Sequence, residues 1–244
     1  MNIVGILVIA LVVSACASTA EDEAEVRTLK LVNTNVQLAV EYMQRGQLEY
    51  AKENVERALA LDRDNSNANH IAALLWIRLK DMDKAESYFE RAVKLDPKNS
   101  EAENNFGVFV CGRGRYLDAI KHFDAALLNP LYKTPEAAAE NAGLCLMKAH
   151  RASRAETYFR KALNYQPRSG KALLGLAKVS YTRGRMLSAR GFLQRYFAAA
   201  KDTPEALLLA VKVERALGAK DQQASYELRL KGKFPDSREA QEIR

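Results

Sequence analysis

A period of 34 residues runs through most of this chain and limits what it can fold into more than any other feature. Small residues recur at Ala39, Ala73, Gly107, Gly143 and Ala177, with successive gaps of 34, 34, 36 and 34. A second small series follows 12 residues behind each of them, at Ala51, Ala85, Ala119, Ala155 and Ala189. Four residues later comes a larger apolar side chain, at Val55, Phe89, Phe123, Phe159 and Leu193. Gly46, Gly114 and Gly184 fall between the first two series, and Pro97 and Pro167 close two of the repeats. Each repeat therefore reads as two helices, a turn that accepts a left-handed residue, and a stop. Small side chains let the paired helices approach closely, and the larger one fills the gap to the next pair. A single pair cannot bury its apolar face alone, so neighbouring pairs must stack.

Composition points the same way. The chain is 48% apolar and 27% charged, with 12 Gly and 6 Pro, too few for a turn-rich all-β fold. Ala, Leu, Glu, Lys and Arg, all good helix formers, dominate. The spacing resembles the tetratricopeptide repeat. That resemblance implies an all-α, right-handed superhelix of about six repeats, near residues 32–65, 66–99, 100–135, 136–169, 170–203 and 204–236. The sixth is degenerate: Thr203, Pro204 and Glu205 read as N-cap, first helical residue and first-turn acid, and Ala210, Gly218, Ala224 and Pro235 follow at shifted spacing. Residues 237–244 read as a tail. Lys80 and His150 stand where the turn glycine is usual, and Tyr196 where a small residue is usual.

The N-terminus reads as an address. Ile3 to Val13 is an apolar run softened only by Gly5 and Ala10. It is shorter than the roughly 20 residues a membrane-spanning helix needs, and matches the core of a signal peptide. It ends in Val13-Ser14-Ala15-Cys16, small residues before a cysteine, which resembles the bacterial lipobox. The expectation is a signal peptide over 1–15 and a diacylglycerol and acyl chain on Cys16, with no other cofactor. Residues 16–31, which include Glu21, Asp22, Glu23 and Glu25, read as a solvated tether. Ala17 rather than Asp follows the cysteine, which in lipoproteins implies the outer membrane. The n-region, Met1-Asn2, departs from the pattern in having no Lys or Arg.

The formal net charge of +7 is uneven. Residues 131–200 hold 13 Lys and Arg against 3 Asp and Glu, whereas residues 1–130 hold 15 against 19 and residues 201–244 hold 9 against 8. Such a stretch suits nucleic acid, anionic headgroups or an acidic protein, or is simply a solvated face. Export from the cytoplasm argues against nucleic acid.

No catalytic constellation is visible. His70, His122 and His150 make no helical metal-binding pair, and there is no HExxH, phosphate-binding glycine loop or nucleophile elbow. Neither an enzyme nor a metal site nor a small-molecule substrate is expected. Cys111 and Cys145 lie 34 residues apart, on the first helices of adjacent repeats. In an oxidising compartment they are candidates for a disulfide; two buried free thiols are the alternative.

In the tetratricopeptide register the first helix of each pair lines the inner face. That places Val36, Val40, Met43, His70, Leu74 and Ile77 in an apolar groove fit for an amphipathic helix or apolar peptide. Val108 and Leu144 continue the line, and Lys178 and Tyr181 end it. These side chains could instead be core, covered by the segment from Val26 to Leu31. Trp76 reads as core, three residues after Ala73.

The stretch Asn104 to Lys148, NNFGVFVCGRGRYLDAIKHFDAALLNPLYKTPEAAAENAGLCLMK, carries the most specific resemblance. Its NN-x-G-x-F-x-C-x-x-G-R-Y block, the NPLY insertion and the N-x-G-x-C that opens the next repeat resemble the type IV pilus biogenesis and stability lipoproteins (the PilW/PilF pilotins). That resemblance implies a lipid-anchored outer-membrane scaffold. It would bind the pilus secretin and promote its localisation and multimer assembly, working as a monomer. Rival readings are a repeat lipoprotein for β-barrel assembly or peptidoglycan-synthase regulation, and a periplasmic enzyme regulator or carbohydrate-binding module.

Overall fold

The computed structural model describes residues 3–243, with side chains from residue 23 onward. Among the described residues every regular element is a helix. They are α1 (Ile3–Gln44), α2 (Leu48–Leu61), α3 (Ser66–Arg78), α4 (Met82–Leu95), α5 (Ser100–Gly112), α6 (Tyr116–Leu128), α7 (Pro135–Lys148), α8 (Ala152–Tyr165), α9 (Gly170–Thr182), α10 (Met186–Ala199), α11 (Pro204–Ala216), α12 (Lys220–Lys233) and α13 (Arg238–Glu242). The chain divides into two compact units, Met1–Ala102 and Glu103–Arg244.

One backbone device is reused at every turn between paired helices. The residue just past the turn donates its N–H back to the carbonyl five residues earlier: Gln47 to Tyr42, Asp81 to Trp76, Arg115 to Val110, Arg151 to Leu146, Arg185 to Ser180 and Ala219 to Glu214, at 2.8–3.2 Å. This is the Schellman termination, and it requires a left-handed residue just before the donor. Gly46, Gly114, Gly184 and Gly218 supply it with φ between 70° and 80°, and Lys80 and His150 supply it at 64° and 55° without being glycine. The repeat frame thus imposes the left-handed turn even where the residue type resists it.

The opposite ends are fixed by caps. Asn65, Asn99, Ser169, Thr203 and Ser237 each accept from the backbone N–H three residues on: Ala68, Ala102, Ala172, Ala206 and Ala240. α7 is the exception. Its N-cap Thr134 makes no such bond and Pro135 starts the helix, at the two-residue insertion.

In the first unit α1 packs on α2 and α3, and α3 on α4. Its core joins Val32, Val36, Ala39 and Met43 of α1 to Ala51, Val55 and Ala58 of α2 and to Ile71, Ala72 and Leu75 of α3. In the second unit α6 through α12 pack as sequential neighbours. Ala119, Ala155 and Ala189 have no exposed surface, and Phe123 and Phe159 are fully buried beside Gly107 and Gly143. Tyr196, where a small residue is usual, is buried with Leu173 and Ala206, and its hydroxyl donates to the Lys201 carbonyl at 3.0 Å.

Two expectations about the chain's ends need correction. The stretch read as a tether is helical and continuous with α1, with Val26 and Leu29 exposed and the packed stripe beginning at Val32. The stretch read as a tail forms α13, which packs on α11 and α12 through Ala240 against Leu207, Leu208 and Leu230. Ser237 and Ala240 repeat Thr203 and Ala206 after 34 residues, so this helix keeps the register of the repeat.

Candidate functional site

The six residues assigned to the groove of the first unit do not form one surface. Val36, Met43 and His70 are only 6%, 7% and 3% exposed and belong to the interior. Val36 and Met43 lie on the α1 stripe of Ala39, one turn to either side, and that stripe faces α2 and α3. Val40, Leu74 and Ile77 are half-buried, and Val40 and Leu74 pack at the margin of the core. Of the six, only Val40, Leu74 and Ile77 therefore keep part of their surface outside the core.

Burial also sets the chemistry of His70. Desolvation pushes its imidazole from 6.5 down to about 4, so it is neutral in the folded protein at neutral pH. It stands 6.2 Å from the Phe89 ring, an apolar setting for a side chain expected at a groove. Trp76 is half-buried rather than interior, with the Lys84 ammonium 4.0 Å above its ring. The segment from Val26 to Leu31 does not cover Val40, Leu74 and Ile77: Val26 and Leu29 are themselves exposed.

In the second unit, Val108 on α5 and Leu144 on α7 are exposed, whereas Lys178 pairs with Glu205 and Tyr181 packs beside Ala177 and Val213. Cys111 and Cys145 are joined in a disulfide with their Cα atoms 5.9 Å apart, tying α5 to α7. Around it, the residues of the NN block have structural partners. Asn141 donates to Asn104 at 3.0 Å, Glu103 meets His122 at 2.7 Å, and the Phe106 ring lies 4.2 Å from that imidazole. This seam between α5, α6 and α7 explains why these residue types occur together.

Charge in the basic stretch is partly consumed internally. Glu156 is reached by Arg160, Arg183 and Arg185, and the Arg185 hydrogen bond above all holds its carboxyl down to about 2. Asp202 is held by Arg229 and Lys233, and Glu214 by Arg190. Among the described residues no cluster of His, Cys, Asp and Glu has the makings of a metal site, and no helix is long and apolar enough to cross a membrane. Cys16, the expected lipid-bearing residue, lies outside the described side chains.

Comparison with known proteins settles the lineage. Tetratricopeptide-repeat family models match residues 36–100, 112–163 and 146–212. The crystal structure of PilW, a widely conserved type IV pilus biogenesis factor, is 34% identical, covers 87% of this chain and 97% of that one, and superposes with a TM-score of 0.77. The chain belongs to the PilF/PilW family of tetratricopeptide-repeat proteins. Type IV pilus assembly protein PilF of Pseudomonas aeruginosa is 26% identical over 208 residues, 85% of this chain and 82% of that protein. A solved Pseudomonas aeruginosa PilF structure gives a TM-score of 0.79 over 88% of this chain. The similarity to PilF and PilW thus spans both units and the disulfide-bearing repeats, beyond the generic repeat shared with MamA at 15% identity.

Proposed function

We propose that this chain is a type IV pilus biogenesis factor that acts as a pilotin. In this reading it is exported, lipidated on Cys16 and held on the periplasmic face of the outer membrane, where it binds the pilus secretin and promotes its assembly into multimers. The observation that carries the reading is the near full-length match to PilW, with 87% of this chain and 97% of that one aligned at 34% identity. The half-buried apolar residues Val40, Leu74 and Ile77 support it, because partly exposed apolar side chains on paired helices suit one face of an amphipathic segment.

The division of labour is simple: lipid supplies the address and the repeats supply the grip. Deletion of the gene tests the reading. Loss of heat-stable secretin multimers and of twitching, with porin levels unchanged, is the expected outcome. Loss of porins would point to barrel assembly instead, and normal secretin multimers would refute the pilotin role. Replacing Cys16 by Ser separates the two halves of the reading, since it should leave secretin bound but misplaced in the inner membrane.

A further inference from the structure

The end of α6 and the loop from it to α7 hold two leucines out into solvent. Leu128 is 83% exposed and Leu131 is 85% exposed. The backbone that carries them is well anchored. Asn129 accepts from the Leu131 N–H at 3.0 Å, Tyr132 donates its N–H back to Asn129 at 3.2 Å, and the Tyr132 side chain is buried with Ala126 and Ala138. Folding therefore fixes the loop and gains almost nothing from either leucine. Two neighbouring exposed leucines on an anchored stretch of backbone are held ready for an apolar acceptor.

Along the same edge of the second unit run the loops that follow α8 and α10. Ser169 hydrogen-bonds Glu140 of α7, and Arg168 and Arg195 donate to the carbonyls of Ala198 and Pro167, which ties these loops together. Lys133, Arg168, Lys171 and Lys201 are exposed there. The acids are fewer: Glu140 is buried on Ser169 with the exposed Lys171 ammonium 3.9 Å away, Asp202 is held by Arg229 and Lys233, and Glu136 is half-buried. The edge thus carries two exposed leucines with exposed cations on the same set of loops.

We infer that this edge is a second membrane contact, seating Leu128 and Leu131 in an anionic lipid surface while Lys133, Arg168, Lys171 and Lys201 meet the headgroups. A leucine tip needs no complementary pocket in a fluid acceptor, and its surrounding charge complements anionic lipid. The contact would hold the second unit down on the bilayer, independently of the lipid on Cys16. The inference rests on the membrane anchoring of that reading and not on its secretin partner, so flotation reports the anchor and quenching of the tip reports this contact.

The test places a single tryptophan on the edge of the full chain, Leu131→Trp in a Trp76→Phe background, with Leu187→Trp in the first turn of α10 as the control. Each protein is reconstituted into phosphatidylethanolamine vesicles with or without phosphatidylglycerol, and the acyl chains carry bromine as quencher. Flotation with the vesicles reports the N-terminal anchor, and quenching reports the tip. The expected result is a blue-shifted emission from Leu131→Trp, quenched about threefold more strongly than that of Leu187→Trp, only with phosphatidylglycerol present, and cut at least about twofold by Lys133→Glu with Lys201→Glu. Four outcomes would each overturn the inference: no quenching of Leu131→Trp, equal quenching of Leu187→Trp, quenching indifferent to phosphatidylglycerol, or a shift that appears only when secretin is added.

Discussion

Gly107 lies directly over the Phe123 ring: the Cβ it lacks would stand 2.7 Å from a ring carbon. Gly143 over Phe159 repeats the relationship at 2.6 Å, and Gly175 approaches the same Phe159 at 2.5 Å. Phe123 and Phe159 are fully buried, so the rings have little room to yield. Gly107→Ala and Gly143→Ala are expected to destabilise the protein by about 1–3 kcal/mol each through overpacking. Gly191, inside α10 with nothing within 4 Å of its absent Cβ, behaves oppositely: Gly191→Ala should gain about 0.5–1 kcal/mol from helix propensity alone. Urea midpoints of the three variants decide between sterics and propensity.

Lys80 and His150 adopt φ of 64° and 55° at positions where four other turns carry glycine. A left-handed residue with a Cβ is disfavoured by about 1–2 kcal/mol, part of which glycine's greater freedom in the unfolded chain cancels. Lys80→Gly and His150→Gly should each raise stability by about 0.5–1 kcal/mol. Gly46→Ala, with φ 74°, should lower it by a similar amount or more. Denaturant unfolding measures all three.

The disulfide between Cys111 and Cys145 closes a loop with a sequence separation of 34. Cys111→Ser with Cys145→Ser, or reduction of the native protein, should cost about 2–4 kcal/mol. Both side chains are buried, so the double replacement by Ala is the gentler control. Melting under oxidising and reducing conditions reads the difference, which should vanish in either double variant.

Acid should unfold the protein in two ranges. His70 has its pKa lowered from 6.5 to about 4, so between those values the unfolded chain takes up a proton that the folded one refuses. Stability therefore falls as pH drops from 6.5 towards 4, by up to about 3 kcal/mol, and His70→Gln should flatten that range. Glu156 has its pKa lowered from 4.5 to about 2, chiefly by its hydrogen bond from Arg185. Its stabilising contribution is complete above 4.5 and is lost as pH falls towards 2; with half-exposed arginine partners it amounts to about 1–3 kcal/mol. Urea titrations of wild type, His70→Gln and Glu156→Gln across this range test both.

The helical frame was readable from sequence because each mark had one physical cause. Ala51, Ala85, Ala119, Ala155 and Ala189 are small because a neighbouring helix touches them, and each is fully buried. Thr203 and Pro204 start α11 as cap and first residue. The groove was harder. Helix α1 carries apolar residues on more than one side, and the 3.6-residue period does not tell the side facing α2 and α3 from the side left open. Hence Val36, Met43 and His70 read as lining yet are interior, while Val40, Leu74 and Ile77 remain at the surface. The exposure of Leu128 and Leu131 was equally hidden, because an insertion shifts the register and only the folded loop shows where its leucines go.

The most direct measurement is capture of the type IV pilus secretin by the membrane-extracted protein, comparing wild type with Val40→Glu, Leu74→Glu and, as a control in the second unit, Leu187→Glu. With helicity and melting preserved, the first two variants should retain less than about a tenth of the secretin while Leu187→Glu retains it all. Full capture by both Val40→Glu and Leu74→Glu would contradict the assignment of the secretin to these residues of α1 and α3.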